Sequence, residues 1–217
     1  MRTDELIVEL ARSAGPVRRL PNPSIRFARW TAASVPLIVC GVIVIGPRAD
    51  VVTAVSQPTF LAIAATTIAT SLLAAASALV LAIPGAEQSP FQQRMAPLIA
   101  GSAWAIGLAY LLTTEGASAR RLLEWPFHLL CLIEIVGLGL IPGFALLSML
   151  RRAAPLQRAW SGALAALAAV ALGAAATQFL CPLDDPAHQL VGHLFPVVGL
   201  SMLGALAGRR YLNWMNP

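Results

Sequence analysis

The sequence predicts an all-α membrane protein, a bundle of six transmembrane helices with N-terminus and C-terminus both cytoplasmic. Three observations carry this. Of 217 residues, 58% are hydrophobic and 12% charged, about half the charged share of a soluble domain, and the mean hydropathy is +0.74. Six apolar stretches approach or exceed the roughly 20 helical residues that cross a hydrocarbon core of about 30 Å. The basic residues, all arginine, gather on alternate sides of those stretches.

The expected spans are Phe27–Gly46, Pro58–Ile83, Met95–Thr113, Trp125–Leu150, Ala159–Leu180 and Leu190–Gly208. Turn-forming residues separate them: Gly46-Pro47, Pro84-Gly85, Gly116, Ala154-Pro155, and Cys181-Pro182 with Pro186. The fifth stretch is rich in Ala and Gly, and the sixth holds Gly204 and Gly208 four apart. Such small residues let helix backbones approach closely in lipid. Trp30, Trp125, Trp160 and Trp214 fall near span ends, as an interfacial belt requires, whereas Trp104 is expected to pack inside.

Orientation follows from arginine placement. Arg2, Arg12, Arg18, Arg19, Arg26, Arg29, Arg94, Arg151, Arg152, Arg158, Arg209 and Arg210 share one side if six spans are threaded. Arg48, Arg120 and Arg121 share the other. Cations scattered at the ends of apolar segments form no basic face, so direct nucleic-acid binding is not expected.

The chain divides into a cytoplasmic segment (residues 1–28), a six-helix membrane domain (29–210) and a short tail (211–217). In the first segment Thr3 caps a helix with Asp4 and Glu5 in its first turn. Leu6, Ile7 and Leu10 form a short apolar stripe to about Ala14, where Gly15-Pro16 ends the helix. Two readings fit: a helix lying on the lipid surface, or a docking segment for a cytoplasmic partner.

The residues with chemistry share one membrane level. His128 and Cys131 open the fourth span on the non-cytoplasmic side and lie on one helix face. Cys181 leaves the fifth span at the same side, and His188 and His193 open the sixth. Glu134 sits deeper on the fourth span, the one acid inside an expected span, where a carboxylate is costly and marks function or a buried partner. Asp184 and Asp185 add two carboxylates to the connecting loop. Thiolate and imidazole suit zinc or copper, sulfur favouring Cu(I). Two non-cytoplasmic thiols also suit reversible disulfide formation. The bland alternative is interfacial histidines and cysteines that fill space. Cys40 has no ligand neighbour and is expected to pack.

The opening Thr3-Asp4-Glu5-Leu6-Ile7, the stretch Val17-Arg18-Arg19-Leu20-Pro21, Cys131, and the block Cys181-Pro182-Leu183-Asp184-Asp185-Pro186-Ala187-His188 through His193 resemble the NrsF family of six-span bacterial anti-sigma factors. The resemblance covers the whole chain. It implies a non-enzymatic regulator of the bacterial inner membrane that withholds an extracytoplasmic-function (ECF) sigma factor from RNA polymerase. Metal or oxidative stress, sensed through Cys131 and Cys181, releases the sigma factor. It requires no resident cofactor; copper or another soft metal ion enters as signal. On proximity alone, and not from the resemblance, His128, His188 and His193 are expected as further metal ligands, with Glu134, Asp184 and Asp185 accessory. Asp4, Glu5, Leu6, Ile7, Leu10, Arg18 and Arg19 are the expected sigma-docking residues. The competing classes are a membrane thiol oxidoreductase, disfavoured by the lack of a CxxC pair, and a metal transporter, disfavoured because polar residues do not continue across the membrane.

Overall fold

A computed structural model describes residues 2–13, 20–83, 90–114 and 125–213. Among them all regular structure is helical. The helices are α1 (Thr3–Ser13), α2 (Pro23–Ile45), α3 (Val51–Ala54), α4 (Pro58–Leu81), α5 (Pro90–Thr114), α6 (Trp125–Arg151), α7 (Arg158–Thr177), α8 (Pro186–His188) and α9 (Phe195–Tyr211). A π-helical turn, Gln189–Leu194, joins the last two. Six segments are long and apolar enough to span a bilayer: α2, α4, the Met95–Thr114 part of α5, the His128–Arg151 part of α6, α7, and Pro186–Tyr211. The chain is therefore a multi-pass membrane protein.

Element starts follow local chemistry. Proline opens α2, α4 and α8, where its fixed φ suits a first turn that lacks an N–H partner anyway. The Asn22 side chain caps α2 by accepting from the Ser24 N–H at 3.0 Å. Gly46 ends α2 at φ +102°, a conformation only glycine adopts cheaply. In α1 the expected Thr3 cap is displaced by one residue. Arg2 precedes the helix and Glu5 reaches back to its N–H at 3.0 Å, half of a capping box.

The hub is α7, which packs against α4, α6 and α9. Burying leucine gains little in lipid, so close approach of small residues must supply the contact. A Cβ at Gly139 would stand 2.7 Å from the Ala169 carbonyl oxygen, and one at Gly173 would overlap the Ile135 backbone. Gly162 faces Gly204 and Gly208 with equally little room. The small-residue surfaces expected of the fifth and sixth spans thus set the spacing of the bundle.

Several expectations shift. The first membrane-length helix begins at Pro23, ahead of the expected Phe27. Arg26 is buried in that helix and donates to the Met149 carbonyl. Trp30 is not a belt residue: it is 1% exposed and its indole donates to the Pro142 carbonyl at 2.9 Å. Cys40 does not pack inside but is exposed on the outer surface of α2. The fifth span ends at Thr177 instead of Leu180, and the sixth starts at Pro186 instead of Leu190. Trp104 is buried as expected. Arg18, Arg19, Arg120, Arg121 and Trp214 lie outside the described residues.

Arg26 meets Met149, and Arg158 donates to Asn213 at 2.7 Å, at the end of the bundle where α2 begins and α9 ends. Arg48 meets Asp184 at the opposite end, where the site lies.

Candidate thiol–imidazole site

Three elements converge at that end. Cys131 projects from α6 and is 2% exposed. Cys181 follows α7 by one turn; its N–H still donates to the Thr177 carbonyl at 2.8 Å, which holds it at the helix end. Asp185 then caps α8, accepting from the N–H groups of Ala187 at 3.0 Å and His188 at 3.2 Å. The cap orients the turn from which His188 points inward.

The π turn brings in His193. On an α-helix residues five apart lie about 140° apart around the axis, at 3.6 residues per turn. A π turn closes i to i+5, so His188 and His193 rise from one side. Both are fully buried, with ring centroids 5.7 Å apart. Glycine at 192 makes room: a Cβ there would stand 3.2 Å from His128 Nδ1 and 3.3 Å from His188 Cε1.

One ligand atom from each of Cys131, Cys181, His188 and His193 falls in a set whose members all lie within 4.8 Å of one another, and all four residues are buried. His188 Nε2 is 3.4 Å from both sulfurs. A tetrahedral metal with bonds of about 2.3 Å to sulfur and about 2.0–2.1 Å to nitrogen separates those atoms by about 3.5 Å. The donor set therefore fits such an ion with little rearrangement. A Cys131–Cys181 disulfide requires the sulfurs to close to about 2.05 Å; both cysteines are free thiols here. His188 Nδ1 is buried without a hydrogen bond among the described residues, and fully buried His193 has the Cys181 sulfur as its polar partner. Such groups cost about 1–3 kcal/mol each when unsatisfied. Hydrogen bonding from the Cys131 thiol, and then from His188, holds the Cys181 thiol below its ordinary value despite burial.

The remaining expected residues divide. His128 is buried and stacks on His188 with centroids 4.9 Å apart, behind the tetrad. Glu134 is half-buried on α6, outside the tetrad. Asp185 serves as the α8 cap. Asp184 turns away to Arg48, which sequence reasoning missed. The Arg48 side chain is 1% exposed, donates to Asp184, and bonds Asp50 at 2.7 Å and 2.8 Å. Its backbone N–H donates to the Phe179 carbonyl at 3.0 Å. The available signal was an arginine on the arginine-poor face, two residues from one aspartate and opposite a loop holding two more. The helix α1 is exposed throughout, presenting Leu6, Ile7, Val8 and Leu10.

A six-span helical membrane protein with a sealed thiol–imidazole tetrad at one end, and an amphipathic helix preceding its first span, has the parts of a membrane regulator. The NrsF family model, negative regulator of sigma F, matches residues 10–214, and the chain belongs to that family. No curated protein and no solved structure is similar enough to count as a match.

Proposed function

We propose that this protein is an anti-sigma factor of the bacterial inner membrane. It holds an ECF sigma factor on the cytoplasmic side and releases it when its thiol–imidazole tetrad, on the other side, engages a soft metal ion or is oxidised. The observation that carries this is the tetrad: two thiols and two imidazoles, buried together, with a sulfur–nitrogen spacing of 3.4 Å. Membership in a family of negative regulators supports the sigma-factor partner and a non-catalytic role. The arginine bias supports the orientation. The exposed apolar face of α1, with Asp4 and Glu5 in its first turn, supports docking there.

The signal has to cross about 30 Å. The first span supports such a path. Beyond one end of α2, Arg48 binds the Cys181 loop through Asp184. Near the other end, Arg26 and Trp30 bond carbonyls of α6, the helix of Cys131. Drawing Cys131 and Cys181 onto one ion, or into a disulfide as two electrons pass to an oxidant, therefore pulls on both attachments of the helix that leads to α1. The ion must bind the released state more tightly, because a ligand shifts an equilibrium only by its differential affinity.

The test is sigma-factor retention on membranes. Wild-type protein is expected to retain it and release it on exposure to a soft metal or oxidant. Cys131→Ser/Cys181→Ser retains it under both conditions, and deletion of residues 1–13 loses it under both. Normal stress release by the double serine variant refutes the tetrad as sensor; full retention without residues 1–13 refutes docking on α1.

A further inference from the structure

The tetrad is sealed, so an ion needs a route to it. A cavity of about 80 Å³ lies against the turn that carries Cys181 and His188. Beside an apolar wall of Phe60, Ile63 and Leu111, its polar lining falls into two zones. Gln57, Thr59 and Asp184 form an exposed rim, whereas Gln178 and Gln189, 1% and 4% exposed, lie inside. Gln178 stands three residues before Cys181, and Gln189 follows His188. At about 30 Å³ per molecule in the liquid, the volume holds two or three waters.

The hydrogen bonds determine what this cavity offers. Thr67 Oγ1 donates its single proton to the Ile63 carbonyl at 2.7 Å. In its 3.2 Å contact with Gln178 Nε2 it must therefore accept. That assigns the amide orientation and leaves Gln178 Oε1 as a buried acceptor with no donor among the described residues. Gln189 Oε1 is in the same condition. Leaving such oxygens dry costs about 1–3 kcal/mol each. Arg48, the cation at this end among the described residues, is already shared between Asp50 and Asp184. Two buried amide oxygens without donors among the described residues are complementary to a cation whose bound waters donate hydrogen bonds.

Resting on the metal-sensing reading, we propose that this cavity is the entry site for a soft-metal cation that has shed most of its water shell on its way to the tetrad. Gln178 and Gln189 accept hydrogen bonds from the two or three waters it keeps, behind a rim where Asp184 is paired with Arg48. Thiolate and imidazole donors then replace the waters one at a time, so the ion is never stripped in an apolar wall. The site governs the rate of loading; the tetrad governs affinity.

The full chain in detergent micelles is mixed rapidly with Cd(II), and loading is followed by thiolate-to-metal charge-transfer absorption. Gln178→Leu/Gln189→Leu is expected to bind one Cd(II) with wild-type affinity but to load about tenfold more slowly. Thr59→Lys, an exposed substitution that sets a cation at the rim, is expected to slow loading in the same sense, with the effect shrinking at high salt. Cys131→Ser/Cys181→Ser abolishes the signal. Wild-type loading rates in both cavity variants overturn the entry site while leaving the tetrad standing. If the double glutamine variant does not fold, Thr59→Lys decides. A wild-type protein that binds no Cd(II) defeats the tetrad reading and the entry site with it.

Discussion

Replacing Gly173 by alanine tests whether the α6–α7 contact sets the geometry of the tetrad. A Cβ at 173 would lie 3.0 Å from the Ile135 carbonyl carbon, 3.2 Å from its Cα, and nearer still to its oxygen. These are backbone atoms and cannot rotate away. Restoring ordinary contact requires the two helices to part by roughly 1 Å, in an interior packed too densely to absorb it. Overpacking of this kind costs about 1–3 kcal/mol. Ile135 lies one turn from Cys131 on the same face of α6, and Cys181 follows α7, so the separation is passed directly to the two sulfurs. Metal sites tolerate about 0.2 Å in ligand distance. Gly173→Ala is therefore expected to lower both the resistance to unfolding in mixed micelles and the affinity for Cd(II), the latter by at least about tenfold. Gly137→Ala is the control: it lies on α6, two residues from Ile135, and a Cβ there meets nothing within 4 Å. Both variants are assayed by detergent-titrated unfolding and by competition with a chelator. If Gly173→Ala matches Gly137→Ala in both assays, the α6–α7 contact does not govern the site.

Three further outcomes follow from the same geometry. Gly192→Ala crowds His128 and His188 by a few tenths of an ångström; it should weaken Cd(II) binding by about 10–100-fold while leaving the unfolding midpoint almost unchanged. Arg48→Met removes a buried cation from two carboxylates that are 43% and 54% exposed. Because water can replace it, the cost should fall at or below the low end of the roughly 3–5 kcal/mol for breaking a buried pair, read as faster proteolysis of the Cys181 loop. The Asp50 carboxyl is held below its usual value by its hydrogen bond to Arg48. A depressed native value stabilises above the unfolded value near 4 and is lost as pH falls through the native one. Protection of the residue 46–57 loop should therefore be flat from pH 7 to 5 and decline only below about pH 4.

The span count was legible because crossing lipid demands a composition that no other structure needs, and six such stretches stand out between Pro- and Gly-bearing breaks. The thiols and imidazoles could be assigned to one level by counting spans. Level is not contact, however. Whether His188 and His193 face the same way depends on the helix type between them, and an α-helical expectation puts them on different sides. The π turn decides this, helped by the space at Gly192. Asp184 and Asp185, adjacent in sequence, look equivalent, yet one caps a turn and the other reaches Arg48 from 136 positions away.

By itself the sequence determined the membrane class, the number of spans, the family resemblance and which residues hold soft-ligand chemistry. Each of these depends on composition or on a local motif. Only the tertiary structure decided which four side chains form the tetrad, that His128 stands behind it, and that Arg48 ties the first span to the Cys181 loop. It also decided that two glutamine oxygens line a polar cavity beside that loop. Those facts depend on helix rotation and approach, set within about an ångström by where glycine and alanine let backbones touch.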